Sequence, residues 1–171
     1  DGITGSLDRI EFHRQPTNRG WTRDFGPMFA HRGKTRVILD YQFNAWAKYD
    51  NYLRDAQVPT AVELLTGLPR VEATRHDTGA RLILEGGGIE TDGAGTMLVT
   101  EEWLLSDVQV RNPGFTRVDY EHAFREYLGI TRTIWLGEGC VGDDTHGHID
   151  DIARFVAPGV VVLAHEVDPA D

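Results

Sequence analysis

The sequence has one cysteine, Cys140, so no internal disulfide can form. That fits a reducing, cytoplasmic compartment, where disulfides are rare. No apolar run approaches the roughly 18 residues that a membrane-spanning helix needs. Basic residues are scarce beside acids, with 17 Lys plus Arg against 27 Asp plus Glu and a formal charge of −10. Binding to a phosphate backbone leaves a basic footprint, and this balance argues against a nucleic-acid partner. It suits a cationic small molecule, which a negative cleft would concentrate. Low-complexity tracts and blocks of like charge are absent; no targeting signal is visible, and the true N-terminus is expected to lie ahead of Asp1. What remains is the composition of an ordinary globular domain: 171 residues, 40% hydrophobic and 26% charged.

Three stretches share one shape: residues 23–43 (RDFGPMFAHRGKTRVILDYQF), 84–100 (LEGGGIETDGAGTMLVT) and 147–167 (GHIDDIARFVAPGVVVLAHEV). Each begins with charged or polar residues beside glycine, runs into a strand, turns, and returns in an apolar strand. The turns HRGK, TDGAG and APG have the Gly or Pro of hairpin connections. Helices are expected between the hairpins, over residues 50–65 with an interruption near Pro59, and over 119–129. In the second, Tyr120, Phe124 and Leu128 recur at i, i+4 and i+8, Asp119 is the expected N-cap and Gly129 the stop. Short strands are expected at 71–77 and 81–85 after the first helix and at 131–137 after the second. Asp24 to Glu85 is 61 residues and Glu85 to His148 is 63. A recurrence near that length predicts an α/β chain of repeated units that bury their apolar faces against one another.

The densest cluster of reactive groups is Asp143–Asp151, nine positions with two histidines and four aspartates. If residues 147–156 form a strand, alternation puts His148 and Asp150 on one face. If the starts of the three units converge, Asp24, Glu85, His148 and Asp150 meet in one pocket. Carboxylates gathered in that way need a cation between them, either a metal or an organic cation. A metal would draw on His146, His148 and Asp150 or Asp144; Thr145 and Gly147, however, read as a loop entering a strand, which separates the two histidines. A guanidinium would meet two carboxylates through paired N–H donors, with Trp21 as an aromatic wall and His148 as a proton carrier.

The segments WTRDFGP (21–27), EGGGIETDGAGT (85–96), RNPG (111–114) and GDDTHGHIDDIARFVAPG (142–159) follow in that order. Together they resemble the agmatine deiminases and the related Porphyromonas-type peptidylarginine deiminases of the guanidine-modifying, or pentein, superfamily. The resemblance implies a five-bladed α/β propeller, of which residues 1–171 would form a partial deiminase domain of about three blades. It implies conversion of agmatine and water to N-carbamoylputrescine and ammonia, a step in putrescine synthesis. Peptidylarginine giving peptidyl-citrulline is the near alternative. In this family a cysteine thiolate attacks the guanidinium carbon, ammonia leaves, and water hydrolyses the thiouronium, without metal or cofactor. By position, Asp24 and Asp150 look like the carboxylates that clamp the guanidinium nitrogens, and His148 like the general acid/base. Glu85 resembles a substrate-site acid that orients the histidine, and Trp21 resembles the aromatic lining the pocket.

Two departures accompany the resemblance. The family's nucleophilic cysteine lies in a Gly-rich segment beyond the third hairpin, so residues 1–171 are expected to lack it, and Cys140 is not expected to replace it. Such a partial chain would keep the clamp, lose the covalent step, and present an open edge inviting pairing with another copy. Trp103, in TEEWLL, stands where relatives often have cysteine and is expected in the core. The more distant alternatives are a metal-dependent amidohydrolase built on His146 and His148, and a non-catalytic guanidinium-binding module.

Overall fold

A computed structural model describes Asp8, residues 10–165 and Val167. The described chain is α/β. In the first unit α1 (Thr22–Phe25) leads into the antiparallel hairpin of β1 (Met28–Arg32) and β2 (Thr35–Asp40). The chain then passes through α2 (Val58–Thr66) and returns in β3 (Arg70–Glu72), parallel to β2. In the second, a 3-10 turn at Gly86–Gly88 precedes β4 (Glu90–Thr91) and β5 (Thr96–Thr100). Helices α3 (Glu101–Leu105) and α4 (Arg117–Leu128) follow, and β6 (Arg132–Leu136) pairs parallel with β5. The third opens on a 3-10 turn at Ile149–Asp151 before β7 (Ala153–Ala157) and β8 (Val160–Leu163). The hairpins β1–β2, β4–β5 and β7–β8 fall within residues 23–43, 84–100 and 147–167, with Glu166 in the last stretch lying outside the described residues. The first two sheets share one order, a hairpin plus a parallel strand reached through helix.

The returning strands are covered on both faces, which is why they read as apolar runs rather than alternating ones. Val37–Leu39 of β2 and Met97–Val99 of β5 are buried, and Val37, Leu39, Met97 and Val99 pack into one core cluster with Leu82, Leu84, Trp103, Tyr120 and Phe124. In contrast, all four residues of β8 are exposed, and among the described residues it has no parallel neighbour.

Several expected boundaries moved, for local reasons. The N-cap of α4 is Thr116, not Asp119. Asp119 sits at the third position and accepts the Thr116 backbone N–H while Thr116 accepts that of Asp119, a reciprocal box that satisfies two free donors. Gly129 stops the helix at φ 68° as expected. Pro59 does not interrupt a helix but sits in the first turn of α2, where its missing N–H costs nothing. Past β3 only isolated bridges remain, Thr74 with Arg81 and Gln42 with Ile83, because a turn held by Arg75 and Asp77 separates the two stretches.

The strand expected from Gly147 begins only at Ala153. The Asp143 carboxylate accepts the N–H groups of Thr145, Gly147 and His148, and Gly147 has φ 92°. Short polar side chains that capture backbone donors in this way favour turns over ladders. His148 and Asp150 therefore do not share a strand face. Likewise Asp24 and Glu85 lie in or beside helical turns ahead of their hairpins rather than at strand starts. Among the described residues no helix is long and apolar enough to cross a membrane.

Candidate active site

The three helical turns that open the units meet, and the glycine run of the second unit makes this approach feasible. A Cβ on Gly87 would stand 2.6 Å from Asp24 Oδ1 and under 3.0 Å from His148 Nδ1, and one on Gly88 would run into the Trp103 indole. Beside this junction opens a cavity of about 600 Å³ lined by Trp21, Asp24, Trp46, His148 and Asp150, with Asp143, Asp144 and Asp151 nearby on its wall. That volume suits a small organic ligand.

Asp24 is buried in α1, and each of its oxygens has a fixed donor. Gly87 N–H lies 3.1 Å from Oδ1 and the Trp46 indole N–H 3.1 Å from Oδ2. Trp46 reaches it from an unusual turn: Ala45, Trp46 and Ala47 have φ of 52°, 60° and 53°. L-residues pay steric energy there and persist only where packing over-determines them. Here Phe25 and Phe43 pack with Trp46, and the Asn44 side chain accepts the Ala47 N–H.

Glu85 is fully buried, with 0% exposure. Its Oε2 accepts the Trp103 indole N–H at 2.6 Å, and its Oε1 accepts Arg111 Nε–H at 3.1 Å. His148 lies between the two acids, with Nδ1 3.7 Å from Asp24 Oδ1 and Nε2 3.7 Å from Glu85 Oε2. Those gaps exceed hydrogen-bond length, so charge and packing hold the ring; Trp103 meets it edge-on with centroids 5.9 Å apart. Nε2 of His148 is buried with no hydrogen-bond partner among the described residues.

These contacts set the proton affinities. Burial pushes the Glu85 carboxyl up, but Arg111, His148 and the Trp103 indole outweigh it and hold it at about 2. Burial alone would lower His148, yet Glu85 and then Asp24 prevail and raise it. Asp24 is raised chiefly by burial, against the lowering pull of His148. A carboxyl held below its ordinary 4.5 stabilises the fold above that pH and ceases to do so as pH falls through about 2. Urea midpoints measured from pH 5 down to 2 are therefore expected to fall, and to fall less in Glu85→Gln. Equal slopes for the two proteins would rule out this contribution.

The structure brings Asp24, His148 and Asp150 to one cavity, although the strand face expected to join the last two is absent. Trp21 stands at its rim, 66% exposed. Glu85 does not line the cavity; it lies behind His148. His146 is turned away, toward Ser106 Oγ at 2.9 Å and Glu102, and Asp144, on the cavity wall, pairs with Lys48 and Tyr49. The His146 and His148 ligand set considered for a metal is thus not assembled, and among the described residues no three His, Cys, Asp or Glu side chains are grouped to hold one. Cys140 is exposed and outside the cavity.

Sequence reasoning missed Trp46, Arg111 and the part played by Trp103. RNPG was visible as a motif, but a polar loop has no periodicity from which to read that Arg111 is buried. Trp46 needed a left-handed turn that no local residue preference announces. Trp103 is in the core as expected, and in addition donates to Glu85.

Residues 2–171 match the model of the Porphyromonas-type peptidyl-arginine deiminase family. The chain is 39% identical to the agmatine deiminase of Pseudomonas syringae pv. tomato over 180 residues, covering all of this chain and 46% of that protein. It is 38% identical to the agmatine deiminase of Ectopseudomonas mendocina, covering 96% of this chain and 44% of the relative. Its structure resembles that of a C. jejuni agmatine deiminase with substrate bound, with TM-score 0.80, 31% identity, and coverage of 94% of this chain and 46% of the other. The chain spans between 42% and 46% of the length of the curated relatives it matches. With segment order, unit topology and sequence in agreement, the chain belongs to the Porphyromonas-type peptidyl-arginine deiminase family.

Proposed function

We propose that these residues are the guanidinium-recognition part of an agmatine deiminase, a partial deiminase domain contributing about three blades of a five-bladed α/β propeller. The observation that carries this reading is a buried histidine held between two carboxylates at the wall of an acidic cavity. Asp24 and Asp150 clamp the guanidinium nitrogens, and Trp21 covers the planar cation. A cysteine thiolate supplied from outside residues 1–171 attacks the guanidinium carbon. His148 gives its proton to the departing ammonia and then takes one from the water that hydrolyses the thiouronium. Glu85 orients His148 from behind. The substrate is a small guanidinium cation, the setting is cytoplasmic, and the exposed β8 edge is where further chain or a second copy would pair.

Agmatine is favoured over arginine by the cavity's cations, which are already engaged. Arg19 donates to Asn51 and to buried Asp55, and Arg23 donates to the carbonyls of Gly86 and Ile89. Asp143 and Asp151 add negative charge to the wall, while Asp144 there is already paired with Lys48 and Tyr49, so an ammonium is better accommodated than a carboxylate. Ammonia release by the full-length protein from agmatine, free arginine and an arginyl peptide, assayed side by side, tests this. Agmatine is expected to be turned over fastest. Faster turnover of the arginyl peptide would move the assignment to peptidylarginine deimination, and release from none would overturn it.

A further inference from the structure

We propose that Arg111 is a positioning residue for proton transfer: its guanidinium joins Glu85 to the loop that bears His148 and offsets the pull of two carboxylates on that imidazole. This rests on the reading of His148 as the proton carrier. Arg111 is among the largest fully buried side chains of the described chain. Its donors go to three separate places: Nε to Glu85 Oε1 at 3.1 Å, Nη1 to the Gln109 carbonyl at 2.9 Å, and Nη2 to the Thr145 carbonyl. Glu85 belongs to the second unit and Thr145 to the loop opening the third. One planar fork therefore spans the seam on which the histidine sits, a geometry lysine's single ammonium cannot reproduce.

The charges around His148 come from every element packed on it. Asp24 faces it from α1 and Glu85 from the segment before the glycine turn. Asp143 accepts its backbone N–H and also attracts the ring, while Asp151 feels its charge from the following turn. All four are acids, and against the lowering effect of burial they draw His148 toward the imidazolium. A general acid/base must instead both give and accept a proton near working pH. Arg111 is the cation on the far side of Glu85, and it shares that carboxylate with His148. Removing it takes away one positive charge, so both Glu85 and His148 must bind their protons more tightly.

The test is an NMR titration of the full-length protein labelled at histidine Cε1 and at glutamate carboxyl carbons, with His148→Gln and Glu85→Gln assigning the two signals. In Arg111→Met both titration midpoints are expected to shift upward; in Arg111→Lys they return toward the wild-type values. A purely structural arginine would leave the midpoints of the folded protein where they were, and unchanged midpoints in folded Arg111→Met would overturn the proposal. Should Arg111→Met fail to fold, Glu85→Gln is compared with Glu85→Gln/Arg111→Met, in which no buried carboxylate is left unpaired. The double variant is then expected to titrate His148 higher than the single one, and equal midpoints would overturn the proposal. Because the readout needs no substrate, a protein inactive on agmatine can still pass this test, which separates its failure from failure of the assigned activity.

Discussion

Replacing His148 with glutamine is expected to lower ammonia release from agmatine by about a hundred- to ten-thousand-fold, with kcat falling far more than KM rises. The range is that of a lost general acid/base. Glutamine keeps much of the volume and can hydrogen-bond, but it cannot carry a proton at any working pH. Asp24 and Asp150 still line the cavity in the variant, so the guanidinium clamp persists while the step that needs a proton stalls. A variant with a turnover near wild type would remove His148 from the chemistry. A raised KM with unchanged kcat would make it a binding residue only.

Gly87→Ala is expected to reduce the same activity by roughly a hundred-fold, although it removes no ionisable group. The new methyl would lie 2.6 Å from Asp24 Oδ1 and inside 3.0 Å of His148 Nδ1, where about 3.5 Å is an ordinary contact. Asp24, His148 or both must retreat by about 1 Å, and a misplacement of that size costs on the order of a hundred-fold in rate. The Gly87 N–H bond to Asp24 Oδ1 is strained by the same movement. Gly137→Ala is the matched control, because a Cβ there meets nothing within 4 Å. Comparable activities for the two alanine variants would show that the close approach at Gly87 does not set the geometry of the site.

Much of this arrangement was legible in the sequence because it is periodic. The spacing between Asp24, Glu85 and His148 marked three units, and the hairpin glycines marked their turns, since Gly33, Gly93 and Gly159 all take positive φ. The apolar returning strands β2 and β5 were readable because burial on both faces leaves an unbroken hydrophobic signal, whereas β8 carries the same signal with its residues exposed. The local geometry of the site was not readable, because it lies where periodicity ends. The turn at Ile149–Asp151 replaces the strand expected there once Asp143 captures the nearby N–H groups, a contest between side chain and ladder that spacing cannot decide. His148 and Asp150 thus reach the same cavity by a route other than strand alternation. Arg111 and Trp46 act across long sequence separations, on Glu85 and Asp24 respectively, and only the folded packing reveals such pairings.

Agmatine consumption by the full-length protein, with Asp24→Asn run alongside, is the most direct measurement of the central claim that this cavity recognises a guanidinium for deimination. The expected result is one ammonia and one N-carbamoylputrescine per agmatine consumed. In Asp24→Asn the rate is expected to fall roughly ten- to hundred-fold, the worth of one hydrogen bond to a charged group. Wild-type protein that leaves agmatine intact, or an Asp24→Asn variant that consumes it at the wild-type rate, would contradict the claim.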